Sequence, residues 1–380
     1  MILIILLITI TYLFLIGRLT FGFNKVPIFS LEDLPSITKF SIVIPFRNEA
    51  EPLPELLASI ETLNYPKQLF EIILVDDDSQ DNSVDIINSF LIKHQLKQHN
   101  QIDISIISNT RKTNSPKKDA ITCAIKKAKY DWIITTDADC KLPQFWLDSF
   151  DEYIQKYDAV CIAAPVTYNN NTSFLKRFQT LDLLSLQGAT IGGFGINKPF
   201  LCNGANFAYK KSVFNKINGF QGNTNIASGD DIFLLEKIKT WHPKKLHYLK
   251  CEKAIVSTKP QTSWKLLIAQ RVRWAAKTSA YNNWFGKFTG LIVLLMNAII
   301  IICLVLSLIQ IFNFKTLFYI LVIKFSIDFF LIYTSASFFN QKNILKIYIL
   351  GFLIYPIFSV YIALLSSFSG YQWKGRKFTK

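Results

Sequence analysis

Three acidic clusters carry the chemistry available to this chain. Asp76-Asp77-Asp78 ends the apolar run Ile72 to Val75, Asp137-Ala138-Asp139 ends Trp132 to Thr136, and Asp230-Asp231 precedes Ile232 to Ile238. Adjacent carboxylates repel one another unless a cation or hydrogen-bond donors sit among them. On a strand or its extension, residues two apart share a side, so Asp137 and Asp139 can address one cation. A hard divalent ion held by one or two carboxylates, with phosphate oxygens and water completing its shell, is how Mg²⁺ binds a nucleotide. It neutralises charge growing on a diphosphate leaving group. Asp77 is the acid of its cluster assigned to a ligand, whereas Asp78 to Asn82 reads as a turn capping the next helix. Ser228 or Asp230 can likewise cap the helix at Ile232.

The elements that must position these acids are legible between about Lys39 and Ala163, where short apolar strands alternate with amphipathic helices. They run Phe40 to Pro45, Leu53 to Leu63, Glu71 to Asp76, Val84 to Leu96, Ile102 to Ser108, Lys117 to Lys129, Trp132 to Thr136, Leu142 to Tyr157 and Ala159 to Ala163. Such alternation predicts right-handed βαβ units and a mostly parallel sheet covered on both faces. Ligands bind such sheets at the carboxyl ends of the strands, where the acids fall.

In this order the motifs resemble glycosyltransferase family 2, inverting enzymes with a GT-A fold, over roughly Phe40 to Lys277. The resemblance implies that Pro45, Arg47 and Glu49 contact the nucleotide, that Asp77 binds its base, and that Lys117 lies close to the donor phosphates or base. It implies that Asp137 and Asp139 form the DxD motif, with Asp139 the foremost ligand of Mg²⁺ or Mn²⁺. Phe200-Leu-Cys-Asn-Gly-Ala-Asn206 resembles the acceptor-side segment, which assigns Asn203 and Gly204 to the acceptor. Ser228-Gly-Asp-Asp231 resembles the Glu-Asp signature. Asp231 matches the catalytic base, and Asp230 stands on the acceptor side where the family more often has Glu. Gln270-Arg-Val-Arg-Trp274 matches the QxxRW signature of membrane-bound members, and its spacing puts Gln270, Arg273 and Trp274 on one helical face. Arg273 can meet a diphosphate bidentately and Trp274 can floor the acceptor sugar, with Arg271 and Lys277 left for the headgroup layer. Cys140 stands where many chitin and hyaluronan synthases carry His, and Lys259 stands where a Glu often precedes the QxxRW helix. Both departures, with about four apolar segments, favour transfer to a lipid or short acceptor over processive polymerisation.

Composition sets the surroundings. The chain has 380 residues, 50% of them hydrophobic, with 32 Phe, more than an ordinary soluble domain carries. Met1 to Ile16 and Phe288 to Phe312 are long enough to cross a hydrocarbon core of about 30 Å. Thr316 to Phe339 and Ile344 to Phe368 are apolar enough to follow. Lys324 and Asp328, four apart, can neutralise each other. Arg18 and Lys25 on the far side of the first segment put the next domain in the cytosol by the positive-inside rule. A basic tail after four crossings breaks that rule, so one C-terminal segment is expected to be re-entrant or interfacial. Phe174 to Leu186 and Trp264 to Trp284 read as interfacial helices. A net charge of +15, without a nucleic-acid motif, points to anionic lipid instead. Lys374, Arg376, Lys377 and Lys380 would each gain roughly 1 kcal/mol at such a surface. Six scattered cysteines, with no zinc-ligand spacing, fit a reducing compartment.

The expected organisation is an anchor at 1–17, a GT-A domain at 39–260, an interfacial QxxRW helix at 261–286, about three transmembrane or re-entrant helices at 288–368 and a basic tail at 369–380. The expected partners are a nucleotide-sugar donor, a UDP-sugar foremost, a lipid or glycan acceptor and membrane lipids. No nucleic acid and no obligate protein partner are inferred. The expected location is a bacterial inner membrane with the catalytic domain cytosolic. Two alternatives are a processive synthase and a non-catalytic scaffold of the same fold; retention of the acids argues against the second.

Overall fold

A computed structural model describes residues 2–95, 101–169, 172–277, 280–368, 370–374 and 376–378. Met1, Leu96 and Lys380, named above, lie outside the described residues. The chain divides into two units: Pro27–Asn169 with Cys202–Lys259, and Met1–Val26 with Asn170–Leu201 and Pro260–Lys380. In chain order, α1 (Ile2–Lys25) precedes β1 (Phe40–Phe46), α2 (Leu53–Glu61), β2 (Phe70–Asp76), α3 (Ser83–Gln95), β3 (Asp103–Ser108), α4 (Pro116–Lys127) and β4 (Trp132–Thr135). Next come β5 (Cys140–Lys141), α5 (Trp146–Lys156), β6 (Cys161–Ala163), β7 (Val166–Tyr168), α6 (Phe174–Gly195), β8 (Phe207–Lys210), α7 (Lys211–Lys216) and α8 (Asp230–Trp241). The remainder is β9 (Leu246–Tyr248), β10 (Val256–Thr258), α9 (Trp264–Ala276), α10 (Trp284–Leu308), α11 (Phe314–Phe338), α12 (Tyr348–Phe368), β11 (Tyr371–Trp373) and β12 (Arg376–Phe378).

The first unit is built on a seven-stranded sheet of order β3-β2-β1-β4-β8-β6-β9. β1 pairs in parallel with β2 and β4, and β2 with β3, while β8 runs antiparallel between β4 and β6. The mostly parallel sheet is therefore as expected. Strands buried on both faces read as continuous apolar runs, as Ile42, Val43 and Ile44 do. Pro45 is tolerated in this central strand because pairing with β4 stops at Val43, so no ladder bond needs its missing N–H. The expected helix start at Leu142 moves to Trp146. Cys140 and Lys141 pair instead with β10, and Pro143 disfavours helix in the residue before it.

Among the described residues, the second unit holds four helices long and apolar enough to cross a membrane: Ile2–Lys25, Trp284–Leu308, Phe314–Phe338 and Lys342–Phe368. α1 continues beyond residue 17, and its second half packs on α6 through glycines. A Cβ at Gly195 would stand 1.8 Å from the Gly22 carbonyl oxygen, and one at Gly192 would stand 2.2 Å from that of Leu19. Small residues allow such close backbone approach, and van der Waals packing then holds the helices. This corrects the interfacial reading of Phe174 to Leu186: α6 extends to Gly195 and buries Phe178, Leu181, Leu184 and Ile191 within the unit. Gly195→Val is expected to cost more than the about 1–3 kcal/mol usual for overpacking, because backbone cannot yield as a side chain does. A lowered melting midpoint of the detergent-solubilised protein checks this; a midpoint equal to wild type would refute it.

Lys324 and Asp328 do pair, Nζ to Oδ2 at 2.5 Å, with Lys324 only 1% exposed. The Tyr12 hydroxyl donates to the other carboxylate oxygen at 2.5 Å, tying α1 to α11.

Candidate functional site

The carboxyl ends of β1, β2 and β4 open into three loops of the sheet unit. After β1, Arg47 Nη1 donates to the Asp77 carbonyl at 2.6 Å and lies 3.1 Å from Asp78 Oδ2, clamping the second loop to the first. The Glu49 amide donates to Ser83 Oγ at 2.8 Å, so this residue's backbone helps seat the start of α3. Asp77 is 5% exposed. Its Oδ1 accepts from Asn109 Nδ2 at 2.7 Å and lies 3.9 Å from Arg111 Nη1. Asp76 and Asp81 serve as caps: Asp76 Oδ1 accepts from the Ser79 amide at 3.0 Å, and Asp81 Oδ1 from that of Ser83 at 3.1 Å. Asn109 and Arg111 belong to no motif that the sequence shows. Their position just after a fourth parallel strand, β3, is the signal that marks them.

After β4 the chain does not continue as strand. Asp137, Ala138 and Asp139 form a turn in which the Cys140 amide donates to the Asp137 carbonyl at 3.2 Å. The two carboxylates therefore owe their directions to a turn rather than to strand alternation, which corrects the expectation of period two. Asp139 is exposed and Asp137 partly so. Burial, with Asp139 and Asp137 adding to it, pushes the Cys140 thiol well above its ordinary range, which leaves the carboxylates as the hard donors here. Among the described residues no group of three or more His, Cys, Asp or Glu converges as a metal cage. That donor set suits an ion that takes most of its ligands from phosphate and water.

Lys117, in the first turn of α4, joins the clusters that the sequence separates. Its Nζ lies 2.6 Å from Asp137 Oδ1 and 3.3 Å from Asp230 Oδ2, with its side chain 18% exposed. Burial opposes its charge, but Asp137 and then Asp230 outweigh that and hold the ammonium above the ordinary lysine range. The neighbouring Lys118 turns the other way. It is 1% exposed and donates to the carbonyls of Asn223 at 2.7 Å and Ile226 at 2.9 Å, in the loop leading to α8.

Asp231 lies in the first turn of α8, after Gly229 at φ +84°. Its Oδ2 accepts from the Gly204 amide at 3.1 Å and its Oδ1 from the Ile232 amide at 2.8 Å. A Cβ on Gly204 would meet Asp230 Oδ2 at 3.1 Å and Lys117 Nζ at 3.5 Å, so glycine lets the chain pass beside the charges. Asn203 spends its side-chain oxygen on the Ala205 amide at 3.0 Å, a local cap. Asn206, fully buried, is a structural hub: it accepts from Trp146 Nε1 at 2.9 Å and donates to the carbonyls of Pro165 and Ala254, both at 2.8 Å. Tyr209, which no sequence motif marks, is 1% exposed and lies near Asp230. Burial pushes its hydroxyl well above the usual range.

The structure thus brings together Lys117, Asp137, Gly204, Asp230 and Asp231 in one place, and Arg47 with Asp77 in another. Gln270, Arg273 and Trp274 belong to the helical unit, on α9. Arg271 is not at a surface there, as the headgroup reading required. It is 6% exposed, and its Nε donates to Asp182 Oδ2 on α6 at 2.6 Å.

Residues 41–218 match the family model described as glycosyl transferase family 2, and residues 132–367 match that of glycosyl transferase family group 2. The chain is 26% identical over 248 residues to a probable glycosyltransferase, YdaM, of Bacillus subtilis (strain 168), covering 64% of this chain and 56% of that one. It is 28% identical over 182 residues to the poly-beta-1,6-N-acetyl-D-glucosamine synthase of Staphylococcus aureus (strain COL), covering 47% of this chain and 40% of that one. The matched part is thus about half the length of these curated relatives. Among solved structures, the mannosyltransferase PcManGT from Pyrobaculum calidifontis, in complex with GDP-Man and Mn²⁺, aligns with a TM-score of 0.57 at 13% identity. That alignment covers 96% of this chain and 98% of that one, a likeness of fold.

Proposed function

The chain belongs to the family 2 glycosyltransferases, and on that premise we propose that it is an inverting enzyme moving a hexose from a nucleotide-diphosphate sugar, a UDP-sugar first among them, to a lipid-linked or membrane-delivered acceptor. The observation that carries this reading is the convergence of Asp137, Asp230 and Asp231 around Lys117 and Gly204 at the sheet edge.

In this reading Pro45, Arg47, Glu49 and Asp77 receive the nucleotide, and Lys117 the charge beside the diphosphate. Asp137 and Asp139 would hold Mg²⁺ or Mn²⁺, which supplies charge neutralisation to the departing diphosphate when bound. Asp231 takes the proton of the acceptor hydroxyl as that oxygen attacks the sugar carbon and the bond to the diphosphate breaks, which inverts the carbon. Asn203, Gly204 and Asp230 border the acceptor. Gln270, Arg273 and Trp274 are assigned to the diphosphate and the acceptor sugar. The proposed setting is a bacterial inner membrane with the sheet unit cytosolic; four helices among the described residues, apolar enough to span, support membrane association. Of the expected domain limits, the anchor at 1–17 is one helix running to Lys25, and residues 170–201 inside 39–260 group with the helical unit. The QxxRW helix expected at 261–286 is α9, Trp264–Ala276, with Trp284 opening the next helix; 288–368 and 369–380 are kept as proposed limits.

Purified protein incubated with a panel of UDP-, GDP- and dTDP-sugars, membrane lipid extract and Mn²⁺ is expected to release one nucleoside diphosphate and to stop doing so in excess chelator. Release from none of the panel would count against the reading. The match to a poly-beta-1,6-N-acetyl-D-glucosamine synthase supports a second reading, processive polymerisation. A single glycolipid after short incubation supports the first reading and a ladder of products the second.

A further inference from the structure

We propose that Arg271, buried inside the QxxRW helix, is a positioning residue that sets the side chains of Gln270 and Trp274, with Asp182 as its anchor. This rests on the reading above, in which Gln270 and Trp274 touch the substrates.

The contacts of Arg271 include three directed ones. Its Nε donates to Asp182 Oδ2 at 2.6 Å, its Nη1 donates to Gln270 Oε1, and its guanidinium lies 4.2 Å from the centroid of the Trp274 ring. Arg271 and Asp182 are each 6% exposed. A guanidinium is a rigid planar fork, so fixing one edge against a carboxylate fixes where its other edge and its face point. The other edge meets Gln270 and the face meets Trp274. Two of the three residues that define the motif are thus oriented by a third side chain between them, which is itself tethered to another helix.

The docking of α9 has other supports. Leu267 and Val272 pack with Phe178, Phe358 and Ile362, and Phe178 meets the Trp264 ring at 5.4 Å. Gln179 and Gln261 exchange side-chain to backbone hydrogen bonds at 2.9 and 2.8 Å, pinning the segment that leads into α9. A buried ion pair, moreover, contributes little net stability, because desolvating both ions offsets most of their attraction. What the Arg271 pair adds beyond these contacts is orientation.

The test separates charge from geometry. Arg271→Lys keeps a cation for Asp182, but one ammonium cannot also present a second nitrogen to Gln270 and a flat face to Trp274. In the full chain in detergent or nanodiscs, with the nucleotide sugar that the donor panel identifies, the expected result is a melting midpoint close to wild type. Turnover at saturating donor and acceptor should meanwhile fall by roughly ten- to a hundredfold, the scale on which misplaced groups cost rate. Asp182→Glu, which keeps the charge but shifts the carboxylate that anchors the guanidinium, should lower turnover in the same way. Wild-type turnover in Arg271→Lys, or a loss of turnover matched by loss of the folded protein in both variants, would overturn the proposal. Gln270→Ala and Trp274→Ala are measured alongside. If both remain fully active, the substrate reading of the motif fails and takes the proposal with it. If both are inactive while Arg271→Lys is fully active, only the proposal fails.

Discussion

Asp231→Asn is expected to abolish sugar transfer, with a loss on the order of 10²–10⁴-fold, the range a general base contributes. The variant keeps the size of the side chain and the start of α8. It cannot keep both hydrogen bonds, because Asp231 accepts from the Gly204 and Ile232 amides through different oxygens. An amide must turn its NH₂ towards one of those donors, and losing that bond costs about 0.5–1.5 kcal/mol. The fold should absorb this, so nucleotide diphosphate binding measured by titration calorimetry should stay near wild type while labelled donor is no longer transferred. Transfer within about tenfold of wild type would remove Asp231 from the role of base.

Lys117→Met should have the next largest effect. The ammonium sits between Asp137 and Asp230 with Asp231 also acting on its charge, and its removal leaves these three acids without the cation they share. Breaking a buried charged pair costs about 3–5 kcal/mol; with the Asp137 side chain 37% exposed, solvent screens part of this. The lower end of that range, about 3 kcal/mol, corresponds to roughly a hundredfold in rate if it falls on the reacting arrangement. The measurement is kcat with saturating donor and Mn²⁺, beside the melting midpoint. Turnover equal to wild type would show that the three carboxylates need no cation from the protein.

Part of this site is legible in the amino-acid sequence. Asp77, Asp137 and Asp231 each stand at the boundary between an apolar run and a polar turn, and in a parallel sheet such boundaries collect at one edge. Lys117 is equally visible as a residue, yet its partners are not. Asp137 and Asp230 come from a different loop and a different helix, and only chain path brings them to 2.6 and 3.3 Å. At Asp137 to Asp139 periodicity misleads, because it extrapolates the preceding strand. Pairing decides otherwise: β4 ends at Thr135, and the chain next pairs at Cys140, with β10.

The helical unit shows the same division more sharply. Mean apolarity over a long window suffices to find α1, α10, α11 and the Lys342–Phe368 stretch, because crossing a bilayer is a property of one segment and its solvent. The spacing of Gln270, Arg273 and Trp274 is likewise local, set by the helical repeat. α6 and Arg271 are not local matters. The amphipathic pattern of α6 shows which residues are polar but not that Gly192 and Gly195 admit the backbone of α1. Nor does it show that Asp182 awaits an arginine from α9. By itself the sequence determined which residues can bear charge, bind phosphate or enter lipid, since those properties belong to side chains and short repeats. Which charges face each other, and which glycines touch, was decided only by the tertiary structure, because both depend on elements far apart in the chain.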